Sequence, residues 1–214
     1  IADFVILFAA TGEEDTPAGR KKAITCFLVD KGTRGFTVHP GYRSVSHRGY
    51  RNCILTFDDC RVPAFNVLGE VNQGLALMQQ WLFATRLTVA AMCVGRARRV
   101  FDLALNWAAT RKQFGQPIGR FQCTGFKLAD MITEIDAADW LTLHAAWLVD
   151  RGLPAERQIA QAKLYASEML GRVTDHAIQI FGGMGLMEET GIERHWRDAR
   201  VERIWEGTSE IQRH

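Results

Sequence analysis

The sequence predicts an α+β fold: a partial antiparallel β-domain, residues 1–72, followed by an antiparallel, four-helix-type α-helical bundle, residues 73–214. Three observations predict this fold class. Residues 1–70 contain short apolar or alternating runs separated by turn residues, which is typical of strands. From Gly74 onward, apolar residues recur at spacings of three and four, as on one face of a helix. Short breaks rich in Gly and Pro divide this part into long segments, which favours antiparallel packing.

Four short strands make up the predicted β-domain. IADFVILFAAT is an apolar run typical of a strand buried on both faces, and the polar GEEDTPAGRKK after it indicates an exposed loop. The remaining strands are AITCFLVD, FTVHPGYRS and the alternating NCILTFDDCRVP, which Pro63 ends. The boundary with the helical part lies near VLGEVNQG, residues 67–74. Because the chain begins within a strand and without methionine, we expect the protein to extend upstream of Ile1.

Three long helices and a shorter one are predicted in the second part. The first begins at Gly74 and ends where QFGQPIG interrupts the helical period. The second covers about residues 121–149 and the third about residues 155–180, where FGGMG stops it. A shorter helix is expected around residues 188–196.

Composition excludes several classes of protein. A chain of 214 residues with 47% hydrophobic and 23% charged residues is typical of a globular protein. The net charge of +2 does not indicate a nucleic-acid partner, and no apolar run is long enough for a membrane span. Five scattered cysteines without a CxxC, and histidines without ligand spacing, argue against disulfides and against a metal site. A reducing compartment is the simplest setting, and we expect no secretion.

Two glycine-containing segments are candidates for ligand contact. In TRKQFGQPIGRFQ, Arg111 offers a planar fork of donors suited to a pyrophosphate, and Phe114 and Gln122 lie nearby in sequence. A plain helix–helix connector explains this segment at least as well. In QIFGGMG, Gln179 supplies an amide, and Gly182 and Gly183 allow close approach by a ligand. A glycine-rich helix end is the alternative for that segment.

The stretch RVERIWEGTSEIQRH contains a candidate base. Glu206 lies between Trp205 and Gly207, and apolar surroundings would favour its neutral form and bring it towards the range of a general base. Thr208 or Ser209 is a candidate N-cap for a following helix that begins near Glu210. From local sequence alone, a solvated charge at a helix boundary is an equally good interpretation.

Charged side chains also occur within the first long helix. Arg86, in the apolar segment ATR, either pairs with an anion or extends to solvent. The basic run Arg96, Arg98 and Arg99 is predicted to be a solvated helix face.

The order of these motifs carries a resemblance. TFDDCRVPAFNVLGEVNQG, then ATR, RKQFGQPIGRFQ, QIFGGMGL and RDARVERIWEGTSEIQR occur in one chain, and this series resembles the acyl-CoA dehydrogenase family. The resemblance covers essentially the whole chain. It implies that the chain corresponds to the end of the family's middle β-domain and most of its C-terminal helical domain.

The resemblance implies an enzyme that holds FAD and removes two hydrogens across the Cα–Cβ bond of an acyl-CoA thioester. Glu206 matches the usual base, while Thr85, where some relatives carry the base, cannot serve. Trp205, Gly207 and Arg86 would lie on the substrate side. Phe83 stands where many relatives have an acidic residue that contacts CoA, so contacts to CoA differ here.

Cofactor contacts follow from the same resemblance. Six residues would contact FAD bound mainly by a neighbouring subunit: Arg111, Phe114, Gln122, Gln179, Gly182 and Gly183. Thr208 and Glu210 would contact the FAD of their own subunit. This sharing implies a homo-oligomer, usually a dimer of dimers, with an electron-transfer flavoprotein as electron acceptor.

Other interpretations remain. The same fold also serves oxidases and flavin monooxygenases, although those relatives often lack the Glu. A helical interaction module without catalysis is the third interpretation. Nothing in the sequence distinguishes a bacterial cytoplasm from a mitochondrial matrix or identifies the acyl chain.

Overall fold

The computed structural model of the chain describes residues 2–17 and 19–214 and divides into two compact units. The first is Ile1–Ser44 with Arg48–Leu82, and the second is Val45–His47 with Phe83–His214. Antiparallel sheets characterise the first unit and long helices the second, so the predicted α+β class is confirmed. The division falls inside the first long helix, and the predicted domain boundary after residue 72 stays a prediction.

A long antiparallel ribbon dominates the first unit. Strand β1 (Phe4–Thr16) pairs with β2 (Gly19–Asp30), and the short β5 (Val67–Leu68) pairs with the other edge of β2. Strands β3 (Phe36–Pro40) and β4 (Cys53–Phe57) form a separate antiparallel pair. The buried side chains of this unit lie mainly on β2 and are Ala23, Thr25, Cys26 and Val29.

Within the charged segment GEEDTPAGRKK, residues 12–16 belong to β1 and residues 19–22 to β2, so the prediction of a loop is wrong for these residues, although they are largely exposed as expected. Ala18 lies outside the described residues. Across the two strands Glu13 lies opposite Lys22, Glu14 opposite Lys21, and Asp15 opposite Arg20. Opposite charges in directly facing positions stabilise an exposed ladder, although the composition looks like that of a loop. Strand β1 contains no buried residue, so the prediction of burial on both faces is also wrong.

Gly74 begins the first helix where the chain passes close to β2. A Cβ at this position would lie 2.9 Å from the carbonyl oxygen of Ile24 and from the amide nitrogen of Cys26. Only glycine permits this approach of backbone to backbone. The glycine that marks the change from strand to helix period is therefore required by packing.

Three long helices and two short ones follow in sequence; the first begins in the first unit and the others lie in the second. They are α1 (Gly74–Thr110), α2 (Gln122–Asp150), α3 (Glu156–Phe181), α4 (Ile192–Ala199) and α5 (Ser209–Arg213). The predicted bounds of the second and third helices are correct to one residue at each end. The shorter helix begins later than expected, because a 3₁₀ turn at Glu188–Thr190 precedes it.

Small residues at helical spacing line the core between the long helices. Buried positions on α3 include Ile159, Ala162, Ala166, Val173 and Ala177, which recur every three, four or seven residues. Helices α1 and α2 supply a matching set: Cys93, Ala97, Val100, Ala104 and Ala108 on α1, with Met131, Ile135, Ala138 and Ala145 on α2. Alanines at these positions allow the helix backbones to pack closely.

A hairpin that the sequence did not predict connects α1 to α2. Strand β6 (Lys112–Gln113) pairs with β7 (Gln116–Pro117) around the two-residue loop Phe114–Gly115. Both loop residues have positive φ, 50° and 80°, as a type I′ turn requires.

Candidate active site

Glu206 lies in a tight turn between a 3₁₀ turn, Val201–Arg203, and helix α5. Its backbone has a φ of 54°, and Gly207 after it has a φ of 98°. A left-handed conformation is rare for a long side chain and persists only when surrounding contacts hold it. The residue is half-buried, so its carboxylate is neither free in solvent nor sealed in the core.

Two residues of α1 contact Glu206 directly. The hydroxyl of Thr85 donates to Oε2 at 3.0 Å, and Nε of Arg86 donates to the backbone carbonyl of Glu206 at 3.0 Å. Among the described residues, the half-buried Arg86 therefore binds a backbone acceptor and not a carboxylate. Thr85 cannot act as a base, but its hydroxyl group holds the Glu206 carboxylate in place.

The carbonyl of Gly207 receives two donors. Nζ of Lys163 donates at 2.6 Å, and Nε2 of Gln212 donates at 3.2 Å while also lying 3.3 Å from the carbonyl of Glu206. A Cβ on Gly207 would lie 2.5 Å from Nε2 of Gln212. The positive φ favours glycine here, and a Cβ would also force the Gln212 amide to move away from the two carbonyls to which it donates.

A buried ion cluster lies behind this turn. Glu202 is fully buried, and Oε1 accepts from Arg96 at 2.5 Å and lies 3.3 Å from Nε2 of His47. Its Oε2 accepts from the indole N–H of Trp205 at 2.7 Å. The prediction that Arg96 belongs to a solvated face is wrong, because this buried carboxylate pairs with it. Arg98 pairs with Asp139 near the surface.

The buried groups around this cluster have shifted pKa values. Burial lowers the pKa of Lys163, because desolvation disfavours the ammonium. Burial, with the charge of Glu202 acting in the same direction, raises the pKa of the Cys93 thiol. Cys93 is therefore an inert thiol within α1.

Thr208 and Glu210 begin the last helix. Thr208 caps α5, because its hydroxyl oxygen accepts from the amide N–H of Ile211 at 3.4 Å. Its hydrogen bond to the Glu210 carboxylate lowers the pKa of that exposed group. Of the two candidate N-caps, Thr208 and Ser209, the structure has Thr208 in that position.

A second site is a cleft of about 490 Å³ that brings together two of the predicted segments. Arg111 lines it from the end of α1, and Gly182 and Gly183 line it from the end of α3. Its aromatic wall includes Trp107 and Phe181, whose rings stack with centroids 4.6 Å apart.

Space is open above the two glycines. A Cβ on Gly182 or Gly183 would meet no heavy atom within 4 Å in the part of the chain that the structure describes. An apolar wall, a guanidinium and accessible backbone are features of pockets that bind small molecules and cofactors.

Other predicted contact residues lie outside this lining. Phe114 is 92% exposed at the hairpin tip, and its ring lies 6.2 Å from that of Phe121. Gln122 and Gln179 are exposed, the first at the start of α2 and the second near the end of α3. Of the predicted cofactor contacts, Arg111, Gly182 and Gly183 therefore line the cleft, whereas Gln122 and Gln179 do not.

Sequence reasoning missed Lys163, Glu202 and Gln212, which surround the Glu206 turn. Each has the appearance of an ordinary helical or turn polar residue. A lysine within the apolar period of α3 was the one available signal. No cluster of His, Cys, Asp and Glu capable of holding a metal occurs among the described residues. None of the described helices is both long and apolar enough to cross a membrane.

Comparison with known proteins identifies the family to which this chain belongs. The family profile described as "Acyl-CoA dehydrogenase, C-terminal domain" matches residues 72–214. The chain belongs to the acyl-CoA dehydrogenase family.

Relatives named as acyl-CoA dehydrogenases match nearly all of the chain. "Probable acyl-CoA dehydrogenase YngJ" of Bacillus subtilis is 44% identical over 98% of the chain, which covers 54% of that protein. Human "Short-chain specific acyl-CoA dehydrogenase, mitochondrial" is 41% identical over 99% of the chain and 50% of that protein. The chain thus spans about half the length of the curated relatives it matches.

Solved structures share the fold. Butyryl-CoA dehydrogenase from Megasphaera elsdenii has a TM-score of 0.90 and 40% identity, and the match covers 99% of this chain and 54% of that one. A structure described as an FAD complex of PigA has a TM-score of 0.92 and 30% identity over 100% of this chain and 55% of that one.

Proposed function

We propose that the protein containing this chain is an FAD-dependent acyl-CoA dehydrogenase, which converts an acyl-CoA thioester to the trans-2-enoyl-CoA. The observation that carries the proposal is the half-buried carboxylate of Glu206, held in a strained turn by donors from α1, α3 and α5. Membership of the acyl-CoA dehydrogenase family supplies the class of substrate and reaction. The names of its bacterial and human relatives agree with that class.

Glu206 takes the proton from Cα of the acyl chain. Among the described residues, Thr85 is the one side chain recorded as donating to the carboxylate, so lone pairs remain to accept a proton. As this proton leaves, a double bond forms between Cα and Cβ, and the hydrogen on Cβ departs with its electron pair. FAD, when bound, supplies the acceptor for that hydride.

The backbone of the turn assists removal of the proton. Negative charge develops on the thioester carbonyl as the α-proton leaves, and a fixed donor stabilises it. The carbonyls of Glu206 and Gly207 accept hydrogen bonds from the side chains of Arg86 and Lys163, and these bonds fix the orientation of the peptide groups in the turn. The amide N–H of Glu206 has no acceptor recorded among the described residues and is free to donate to that carbonyl.

The cleft between the ends of α1 and α3 fits part of FAD. Arg111 provides charge-assisted donors for a pyrophosphate, and the open space at Gly182 and Gly183 allows backbone contact. Phe114 projects from the hairpin with a ring available for stacking, and Gln122 and Gln179 provide amides near that rim. The relative described as an FAD complex is consistent with this cofactor.

Subunit sharing follows from this assignment. We assign Thr208 and Glu210 to the FAD of the same subunit and the cleft to the FAD of a neighbour, so the proposed protein is a homo-oligomer, a dimer of dimers. Trp205, with Gly207 and Arg86, lies on the substrate side. An electron-transfer flavoprotein is the proposed electron acceptor, and the proposed location is a bacterial cytoplasm or a mitochondrial matrix.

The test is Glu206→Gln in the full-length flavoprotein. We expect anaerobic flavin reduction by a panel of acyl-CoA thioesters to slow by roughly 100-fold or more, because a general base is lost. The matched control is Glu189→Gln, because the Glu189 carboxylate is exposed and has no hydrogen bond or ion pair within the described part of the chain; this variant should reduce its flavin at the wild-type rate. A Glu206→Gln rate close to wild type would remove Glu206 as the base.

Two further measurements separate the other flavin chemistries. Oxygen consumption by the reduced protein, compared with electron transfer to an electron-transfer flavoprotein, distinguishes an oxidase or monooxygenase from a dehydrogenase. Thioesters of CoA, compared with the same acyl groups on an acyl carrier protein, test whether Phe83 in place of an acidic residue has changed the carrier.

A further inference from the structure

Lys163 is a fully buried cation on α3. Burying an ammonium group is costly unless acceptors and opposite charges surround it. A lysine on the apolar face of a core helix therefore needs a specific partner.

The partner of Lys163 is the turn that carries Glu206. Its Nζ donates to the carbonyl of Gly207 at 2.6 Å. The charges of Glu202 and Glu206 favour the ammonium form, whereas burial and the charge of Arg86 oppose it. This lysine thus lies among the groups that surround the proposed base, without contacting the Glu206 carboxylate by a recorded hydrogen bond.

The turn requires external support. Glu206 has a left-handed φ of 54°, and Gly207 has a φ of 98°. Relaxation of Glu206 to an ordinary φ would swing its side chain away from Thr85. The two carbonyls of the turn accept from Arg86, Gln212 and Lys163, and the bond from Lys163 is the shortest of these.

We propose that Lys163 is a positioning residue for Glu206: its hydrogen bond to the Gly207 carbonyl holds the left-handed turn and so directs the Glu206 carboxylate at the substrate. This inference rests on the proposed role of Glu206 as base. Lys163 touches neither substrate nor the reacting atoms in this assignment. Its effect on rate is transmitted through the backbone of Gly207.

The experiment uses Lys163→Met in the full-length flavoprotein, since methionine keeps an unbranched chain of similar length without the donor. The rate constant of flavin reduction at saturating acyl-CoA is measured with Lys163→Met in the wild-type and in the Glu206→Gln background. In the wild-type background we expect a drop of roughly 10- to 100-fold, because misplacing a catalytic group by about 1 Å costs up to that factor. KM should change far less than the rate constant, since Lys163 does not bind substrate.

In the Glu206→Gln background, Lys163→Met should cause no further loss. A residue that acts through Glu206 has nothing left to position, whereas a general structural defect would slow both backgrounds equally. Equal losses in both backgrounds, or an unchanged rate in the wild-type background, would overturn the proposal. If Glu206→Gln alone retains the wild-type rate, the proposed base is wrong, and that result is visible without any lysine variant.

Ser167→Ala is the matched control. Ser167 is also fully buried on α3, one turn further along, and among the described residues its hydroxyl donates to the carbonyl of Leu164 in the same helix, at 3.2 Å. It should leave the rate of flavin reduction unchanged. If Lys163→Met does not fold, Lys163→Gln replaces it, because the amide keeps polarity but is too short for the same bond. We expect the same loss, confined to the background that carries Glu206.

Discussion

The Glu206 turn and the hairpin tip at Phe114 have the same backbone conformation, but different contacts stabilise it. In each, a bulky residue with positive φ precedes a glycine with positive φ: 54° and 98° at Glu206–Gly207, 50° and 80° at Phe114–Gly115. Side chains from three helices hold the first turn, whereas a two-residue hairpin loop holds the second. The comparison shows that one local conformation can be determined by tertiary contacts or by local geometry.

Substitution of alanine for the glycine of each turn should give the largest difference between the two turns, measured as the loss in the free energy of unfolding. Gly207→Ala forces a Cβ to within 2.5 Å of Gln212 and adds left-handed strain, so we expect a loss of about 2–4 kcal/mol in the free energy of unfolding. Gly115→Ala meets no atom within 4 Å among the described residues and should cost about 1 kcal/mol, from strain alone. Urea unfolding of both variants measures the difference. Equal losses would mean that the Gln212 contact does not restrict the first turn.

Alkaline pH should act on the Glu206 turn but not on the hairpin. The folded-state pKa of Lys163 is lowered by burial from 10.5, so the unfolded chain binds the proton more tightly than the folded chain. Unfolding free energy contributed by this group therefore rises as pH increases from its lowered pKa towards 10.5, and falls as pH decreases through that window.

Urea unfolding of the wild-type protein and of Lys163→Met, from neutral pH to about 10.5, tests this sign. The free energy of unfolding of the wild type minus that of Lys163→Met should increase with rising pH. The groups whose charges act on Lys163 are Cys93, Glu202, Arg86 and Glu206, and all four remain in both variants. A difference that stays constant or moves the other way would contradict the assignment of a desolvated ammonium. Gly115→Ala, as a control for the hairpin, should show no such trend.

The smallest effect is expected at the hairpin tip. Phe114→Asn places a residue that tolerates left-handed φ at a position where phenylalanine is 92% exposed, so stability should rise by about 0.5 kcal/mol. If Phe114 stacks on FAD as proposed, flavin retention during dialysis should fall at the same time. Phe114→Tyr keeps the ring and is the control for flavin retention. Unchanged retention in Phe114→Asn would remove Phe114 from the proposed cofactor contacts.

Much of the fold was predictable because its signals are local. The spacing of apolar residues predicted α2 and α3 to within one residue at each end, and Gly74 marked the start of α1. The ribbon formed by β1 and β2 was shortened in the prediction, because Glu13 and Lys22 are polar and reveal their pairing only when the strands are aligned. A local reading of composition cannot supply that alignment.

The candidate site was predictable only in part, for a related reason. Glu206 and Arg111 stood out through the order of motifs, but their geometry depends on residues distant in sequence. Arg96 was assigned to a solvated face because its partner, Glu202, follows 106 residues later. Lys163 was overlooked because nothing in α3 itself indicates the Gly207 carbonyl as its acceptor.

The buried thiol of Cys93 offers a reporter for this packing. Cys53 and Cys123 are exposed, whereas Cys93 is fully buried, and its raised pKa disfavours the reactive thiolate. Alkylating reagents should therefore label the exposed pair within the native protein and reach Cys93 only through transient opening of the bundle. The rate of that slow labelling would measure how often the helices that support the Glu206 turn separate.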